Sequence, residues 1–149
     1  MNRYVPDTSV VAKWFSCHDE DDLRQALLLR DKILHGECSI TVPSLLFYEL
    51  ANALRFNPNL STCDVRDAVT SIFDMEFDVR EISPEIVIQT VEIAYAHGIT
   101  VYDACFLATA RLAEGMLITA DSRLYERIRG VKDVTLLREW VDMLPFSEM

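Results

Sequence analysis

Apolar residues return along this chain in two alternating rhythms. Short apolar runs at Arg3–Pro6, Cys38–Val42, Phe77–Ile82, Met116–Ala120 and Val134–Leu137 read as strands. Between them, apolar positions recur every three or four residues, as on the buried stripe of a helix. The stripes are Val10, Val11, Trp14 and Phe15; Leu23, Ala26, Leu27, Ile33 and Leu34; Leu46, Leu50, Ala53 and Leu54; Val65, Val69, Ile72 and Phe73; Ile86, Thr90, Ile93 and Ala94; Phe106, Leu107 and Ala110; and Leu124, Tyr125 and Ile128. Strands alternating with helices predict a mostly parallel sheet covered on both faces.

Local signals mark the ends. Gly36 stops the second helix, Pro43 fits the first position of the third, and Ser61 with Asp64 resembles a capping box. Ser83–Pro84 opens the next helix and His97–Gly98 closes it. The small residues Ala104, Ala108 and Ala110 let the following helix approach the sheet closely, up to Gly115, and Gly130 ends the last helix. Two helices in a row, broken at Asn57–Pro58–Asn59, interrupt the alternation and are a candidate lid or dimer surface.

The chain has 149 residues, half of them hydrophobic, which fits one domain over residues 1–149 with its own core. No apolar run approaches the roughly 20 residues of a membrane helix, and the N-terminus enters a strand without a signal-like region. A cytoplasmic protein with no membrane partner is expected. Cys17, Cys38, Cys63 and Cys105 are scattered without a C-x-x-C pair, so buried free thiols are expected instead of a zinc site or a disulfide framework. His18, His35 and His97 are equally scattered. Trp14, Trp140 and the methionines are expected in the core, and the tail with Val141 and Leu144 is expected to pack on the domain. The acidic run Asp19–Asp22 reads as the first turn of the second helix, where negative charge suits the dipole.

The formal charge of −10 argues against tight non-specific nucleic-acid binding, which requires Lys and Arg to displace counterions. It leaves nucleic acid open as a substrate, because a bound divalent cation reverses the sign at an acidic cluster.

Asp7 ends the first strand and precedes Thr8 and Ser9, residues able to cap a helix. In an open α/β sheet this is where ligands bind; the plain alternative is a helix cap. Asp121 repeats the strand–acid–helix arrangement, and Asp103 stands at the mouth of another helix. Glu49 lies at the edge of an apolar stripe, with Asn52 one turn on. With 24 acidic residues, number means little and placement more. If the strand ends share one rim, these four acids converge. Converging carboxylates repel one another, and Asp7, Glu49 and Asp103 have no Lys or Arg beside them in sequence. Hard divalent cations are the natural solution: Mg²⁺ with several waters and phosphate oxygens, or Mn²⁺. Such ions activate water and stabilise in-line phosphate displacement.

The segments VPDTSVVAKW (residues 5 to 14), YELANAL (48 to 54), VYDACFLATA (101 to 110) and LITADSRL (117 to 124) together resemble the PIN-domain ribonucleases, most closely the VapC toxins of type II toxin–antitoxin systems. The resemblance spans nearly the whole chain in the family's motif order. It implies a three-layer α/β/α fold with a five-stranded sheet and an acidic quartet of Asp7, Glu49, Asp103 and Asp121 binding Mg²⁺ or Mn²⁺. It also implies an RNA substrate, a homodimer and a VapB-like antitoxin. On that reading Asp7 and Asp103 are the principal ligands, Glu49 completes the site directly or through water, and Asp121 holds a second metal or a water. Thr8, Ser9 and Asn52 orient ligands or phosphate. Lys13, Arg123, Arg127, Arg129 and Lys132 are candidates for the RNA backbone, or equally a solvated face. Two other readings are a catalytically silent PIN-like module and a phosphoacceptor receiver domain. The receiver lacks support, because Asp7 has no acidic neighbour and no Lys ends the last strand.

Overall fold

The structure is a computed structural model and describes residues 1–15 and 22–140. Among these residues five strands form one parallel sheet: β1 (Asn2–Pro6), β2 (Cys38–Pro43), β3 (Asp78–Arg80), β4 (Met116–Thr119) and β5 (Val134–Leu136). Their spatial order is β3-β2-β1-β4-β5. The chain winds outward from β1 through β2 to β3, then crosses back to β4 on the other side of β1. That reversal makes the gap between β1 and β4 the switch point of the sheet. Register pairs Pro6 with Ile118, and the Asp7 N–H continues the ladder to the Ile118 carbonyl at 3.0 Å. The ends of β1 and β4 are therefore level, which brings the residues after them to one rim.

Among the described residues, seven helices cover the sheet: α1 (Thr8–Val11), α2 (Leu23–Leu34), α3 (Leu45–Arg55), α4 (Thr62–Asp74), α5 (Pro84–His97), α6 (Val101–Ala113) and α7 (Ser122–Ile128). Right-handed crossovers assign α1–α4 to one face and α5–α7 to the other. The sheet order excludes the receiver architecture, whose order is 2-1-3-4-5. The core runs through both layers, with Val5, Ile40, Leu117 and Ile118 of the strands packed by Leu29, Leu46, Leu50, Phe106 and Leu107 of the helices. Trp14 and Trp140 are buried as expected. The Trp14 indole N–H donates to the Ala26 carbonyl at 2.8 Å, and Trp140 meets Tyr4 edge-on with centroids 5.8 Å apart.

Several expectations need correction. The first helix is α-helical only to Val11 and tightens into a 3-10 turn over Ala12–Phe15. Pro43 closes β2 instead of opening α3, which begins at Leu45 after Ser44. The third and last strands are shorter than the apolar runs suggest. Glu114, in the left-handed region at φ 55°, caps α6 in place of Gly115. Asp22, also left-handed, precedes α2 and is not in its first turn. The rest of the acidic run, together with Cys17, His18, Val141 and Leu144, lies outside the described residues. Among the described cysteines only Cys38 is buried; Cys63 is exposed and Cys105 half-buried. Met1 is exposed. The Ser61–Asp64 capping box, the Ser83 cap and the Gly98 stop are all present.

Candidate active site

Four segments far apart in the chain meet at the carboxyl end of the sheet around a cavity of about 260 Å³. Asp7, Thr8 and Ser9 come from the β1–α1 junction, Glu49, Asn52 and Ala53 from α3, Asp103 and Phe106 from α6, and Asp121 from the β4–α7 junction. All four acids singled out in the sequence line this one space.

Three of the acids are held by local backbone structure, and Glu49 by a bond from a distant segment. Asp7 and Asp121 are both N-caps. An Asp7 carboxylate oxygen accepts from the Val10 N–H at 3.4 Å; one from Asp121 accepts from the Arg123 and Leu124 N–H groups at 3.0 and 3.1 Å. The helix-cap and pocket readings of Asp7 therefore hold together, and Thr8 and Ser9 do not cap α1. Instead the Ser9 hydroxyl donates to Asp7 and accepts from the Ala120 N–H at 2.8 Å, tying the two strand ends together. The Thr8 hydroxyl donates to Glu49 at 2.7 Å. Asp103 is positioned through its own N–H, which donates to the Thr100 hydroxyl at 3.1 Å.

Two of these supports were not anticipated. Thr100 is the N-cap of α6, three residues before Asp103, a spacing visible in the sequence. Thr119 is fully buried at the end of β4, where its hydroxyl accepts from the Asp121 N–H at 3.1 Å. In sequence it is one more residue of an apolar strand.

The electrostatics are those of crowded acids. Asp7 is buried, which pushes its pKa up to about 6; bonds from Ser9, Thr119 and Val10 oppose the rise, and the Asp103 charge adds to it. Half-burial raises Glu49, opposed by Thr8 and reinforced by Asp103. Half-burial also raises Asp103, opposed by Thr100 and reinforced by Asp121. Among the described residues no Lys or Arg forms an ion pair with any of the four.

The oxygen-only donor set and the missing countercharge fit a hard divalent cation. Among the described residues no three His, Cys, Asp or Glu side chains are grouped tightly enough to hold an ion between them. Carboxylates spaced around a cavity suit an ion that keeps several of its own waters, as Mg²⁺ does.

The basic candidates are less concentrated at the site. Arg127 donates to the Gly98 carbonyl at 3.0 Å, fastening α7 to the end of α5, and Arg129 pairs with Glu126 at 3.4 Å. Arg123 and Lys132 are exposed, and Lys13 is half-buried beside α1. None of the five lines the acidic cavity.

With this fold and site, the chain belongs to the PIN domain family, whose match covers residues 4–130. Solved structures share the architecture. PAE2754 from Pyrobaculum aerophilum superposes with a TM-score of 0.67 at 20% identity, over 92% of this chain and 85% of that one. A toxin–antitoxin complex from Klebsiella pneumoniae gives 0.67 at 19%, over 90% and 97%. VapC20 of Mycobacterium tuberculosis, described as a sarcin–ricin loop cleaving toxin, gives 0.65 at 15%, over 95% and 99%. No curated protein matches the chain. Among the described residues no helix is long and apolar enough to cross a membrane.

Proposed function

We propose that the chain is a divalent-metal-dependent endoribonuclease of the VapC type, hydrolysing RNA phosphodiester bonds. The observation that carries this reading is the gathering of four carboxylates from four segments around one cavity, none of them ion-paired to a Lys or Arg among the described residues. Asp7 and Asp103 are the principal ligands of Mg²⁺ or Mn²⁺, with Glu49 and Asp121 completing the set. When bound, the ion supplies activation of water and stabilisation of phosphate charge. Thr8 orients Glu49, Ser9 and Thr119 orient Asp7, and Asn52 offers an amide toward the phosphate. Hydrolysis adds one water: its oxygen bonds to phosphorus, the bond to the leaving ribose oxygen breaks, and that oxygen takes up a proton.

Fold neighbours that are toxin–antitoxin complexes support a VapB-like antitoxin as partner. A homodimer is supported by an exposed apolar face where Tyr48, Ile82, Val91 and Tyr102 surround a groove of about 520 Å³ between α3, α5 and α6. Residues 1–149 are read as one domain acting in the cytoplasm.

The deciding experiment is cleavage of RNA in Mn²⁺ or Mg²⁺ beside Asp7→Asn and Asp103→Asn. Activity confined to the unsubstituted protein, and lost on chelation, is expected. Equal activity in the variants would mean a contaminant or a wrong site. Metal binding without cleavage by any form would favour the silent module.

A further inference from the structure

A second groove, of about 760 Å³, runs between α3 and α4 next to the acidic cavity. The two spaces share a wall: Ala51 faces the groove while Asn52 and Ala53 face the cavity. Arg55 lies on the same helix as Glu49, about 9 Å further along its axis at the usual helical rise. Arg66 reaches the groove from α4, and the hydroxyl-bearing Ser61, Thr62 and Thr70 also line it.

The groove's charge contrasts with that of the chain. In a protein of formal charge −10, two exposed guanidinium groups share one groove, and among the described residues neither is ion-paired. The nearby Asp64 carboxylate is engaged with the Ser61 N–H at 2.8 Å, and Asp67 lines the opposite side of α4, near Trp14 and Phe15. Beyond the end of α3 stands Phe56, 72% exposed, with the Arg55 guanidinium 5.5 Å from its ring centroid. An exposed ring beside an arginine and a basic groove is the combination that holds single-stranded nucleic acid, by stacking a base and neutralising phosphates. An acidic protein segment would use the arginines but has no comparable use for the ring.

We propose that Arg55, Arg66 and Phe56 form a subsite for single-stranded RNA beside the acidic cavity, the arginines holding backbone phosphates and Phe56 stacking a base. The inference rests on the ribonuclease reading above. The subsite positions substrate, so it governs binding and the approach of the scissile bond, not the chemical step.

The test uses the full chain. Affinity for a fluorescein-labelled, random-sequence single-stranded RNA is measured by anisotropy with Mg²⁺ in the Asp103→Asn background, across a salt series. Cleavage of total RNA by the unsubstituted protein is run in parallel. Arg55→Ala with Arg66→Ala is expected to weaken binding about tenfold and to lower the log–log salt slope by about 1.4, for two phosphate contacts on a single strand. The paired Lys substitutions restore the slope. Phe56→Ala weakens binding about fivefold without changing the slope, and Phe56→Tyr restores it. In the cleaving protein the Arg pair raises KM and leaves kcat within about twofold. All three side chains are exposed, and unchanged melting temperatures confirm folding. Unchanged affinity and slope in the paired Ala variant, while its parent still binds RNA, would overturn the subsite and leave the groove to an acidic protein partner. A parent that neither binds nor cleaves RNA would overturn the ribonuclease reading, and the subsite with it.

Discussion

Thr8 Oγ1 donates to Glu49 Oε1 at 2.7 Å, joining the first helix to the third across 41 positions of sequence. The bond orients a carboxylate that has no ion-pair partner among the described residues, and it favours the charged form against burial. Thr8→Val keeps the shape and removes the donor. A hydrogen bond to a charged group contributes about 1.5–3 kcal/mol, so weaker divalent-ion binding by roughly tenfold or more is expected from calorimetric titration, with Thr8→Ser close to the original. Equal affinity in Thr8→Val would show that Glu49 takes no part in holding the ion.

Asp7 has a folded-state pKa of about 6 against an ordinary 3.8. The folded state therefore holds its proton to higher pH than the unfolded chain does. The sign follows: stability from this group is complete below about pH 4 and is lost as pH rises through 6. At one unit per 1.36 kcal/mol the loss is on the order of 3 kcal/mol. Asp7→Asn, which cannot ionise, is expected to melt higher than the parent at pH 8 in chelator while losing catalysis. A lower melting temperature for the variant under those conditions would contradict this.

The same strain predicts the response to metal. At pH 8, Mn²⁺ at about 100 times its Kd should stabilise the protein by about 2.7 kcal/mol, read as a rise in melting temperature. Protonation of Asp7 competes with the ion, so the rise should shrink as pH falls through 6. Asp7→Asn with Asp103→Asn should abolish it. A rise that survives both substitutions would place the ion elsewhere.

Val91 lies on the exposed apolar face of α5 and α6. If that face joins two copies, Val91→Arg buries an unpaired charge in the interface, and sedimentation velocity should show a monomer where the parent sediments as a dimer. The same species for both proteins would locate the contact on another surface.

Gly115 lies against β1, where an added Cβ would meet the Arg3 carbonyl oxygen at 3.2 Å. The strand cannot yield without disturbing the β1–β4 register that levels Asp7 with Asp121. Gly115→Ala should cost about 1–3 kcal/mol in denaturant titration, and activity should fall more than stability alone explains. A neutral substitution would show that the register has slack.

Much of this was readable from residue order. Strand, acid and helix follow one another at Asp7 and at Asp121 because a capping carboxylate at a strand end is a local feature. Ser83, Pro84 and Gly98 bounded α5 for equally local reasons. Pro43 suits a helix start on local grounds, and only its pairing with Arg80, 37 positions away, assigns it to the strand. Thr119 escaped notice because its role depends on the alignment of β4 with β1, and on Ser9 approaching from a distant segment, 3.5 Å away. The overlap of four acids in one cavity was a conditional expectation from the strand order; the order itself comes from long-range packing.

The central position of β1 bears on how the protein is made. The segment bearing Asp7 is synthesised well before its neighbour β4 and the Asp121 cap, which lie more than a hundred positions further along. A nascent chain that has not yet reached Asp121 thus lacks one wall of the cavity, and the acidic constellation assembles only after that segment has been made.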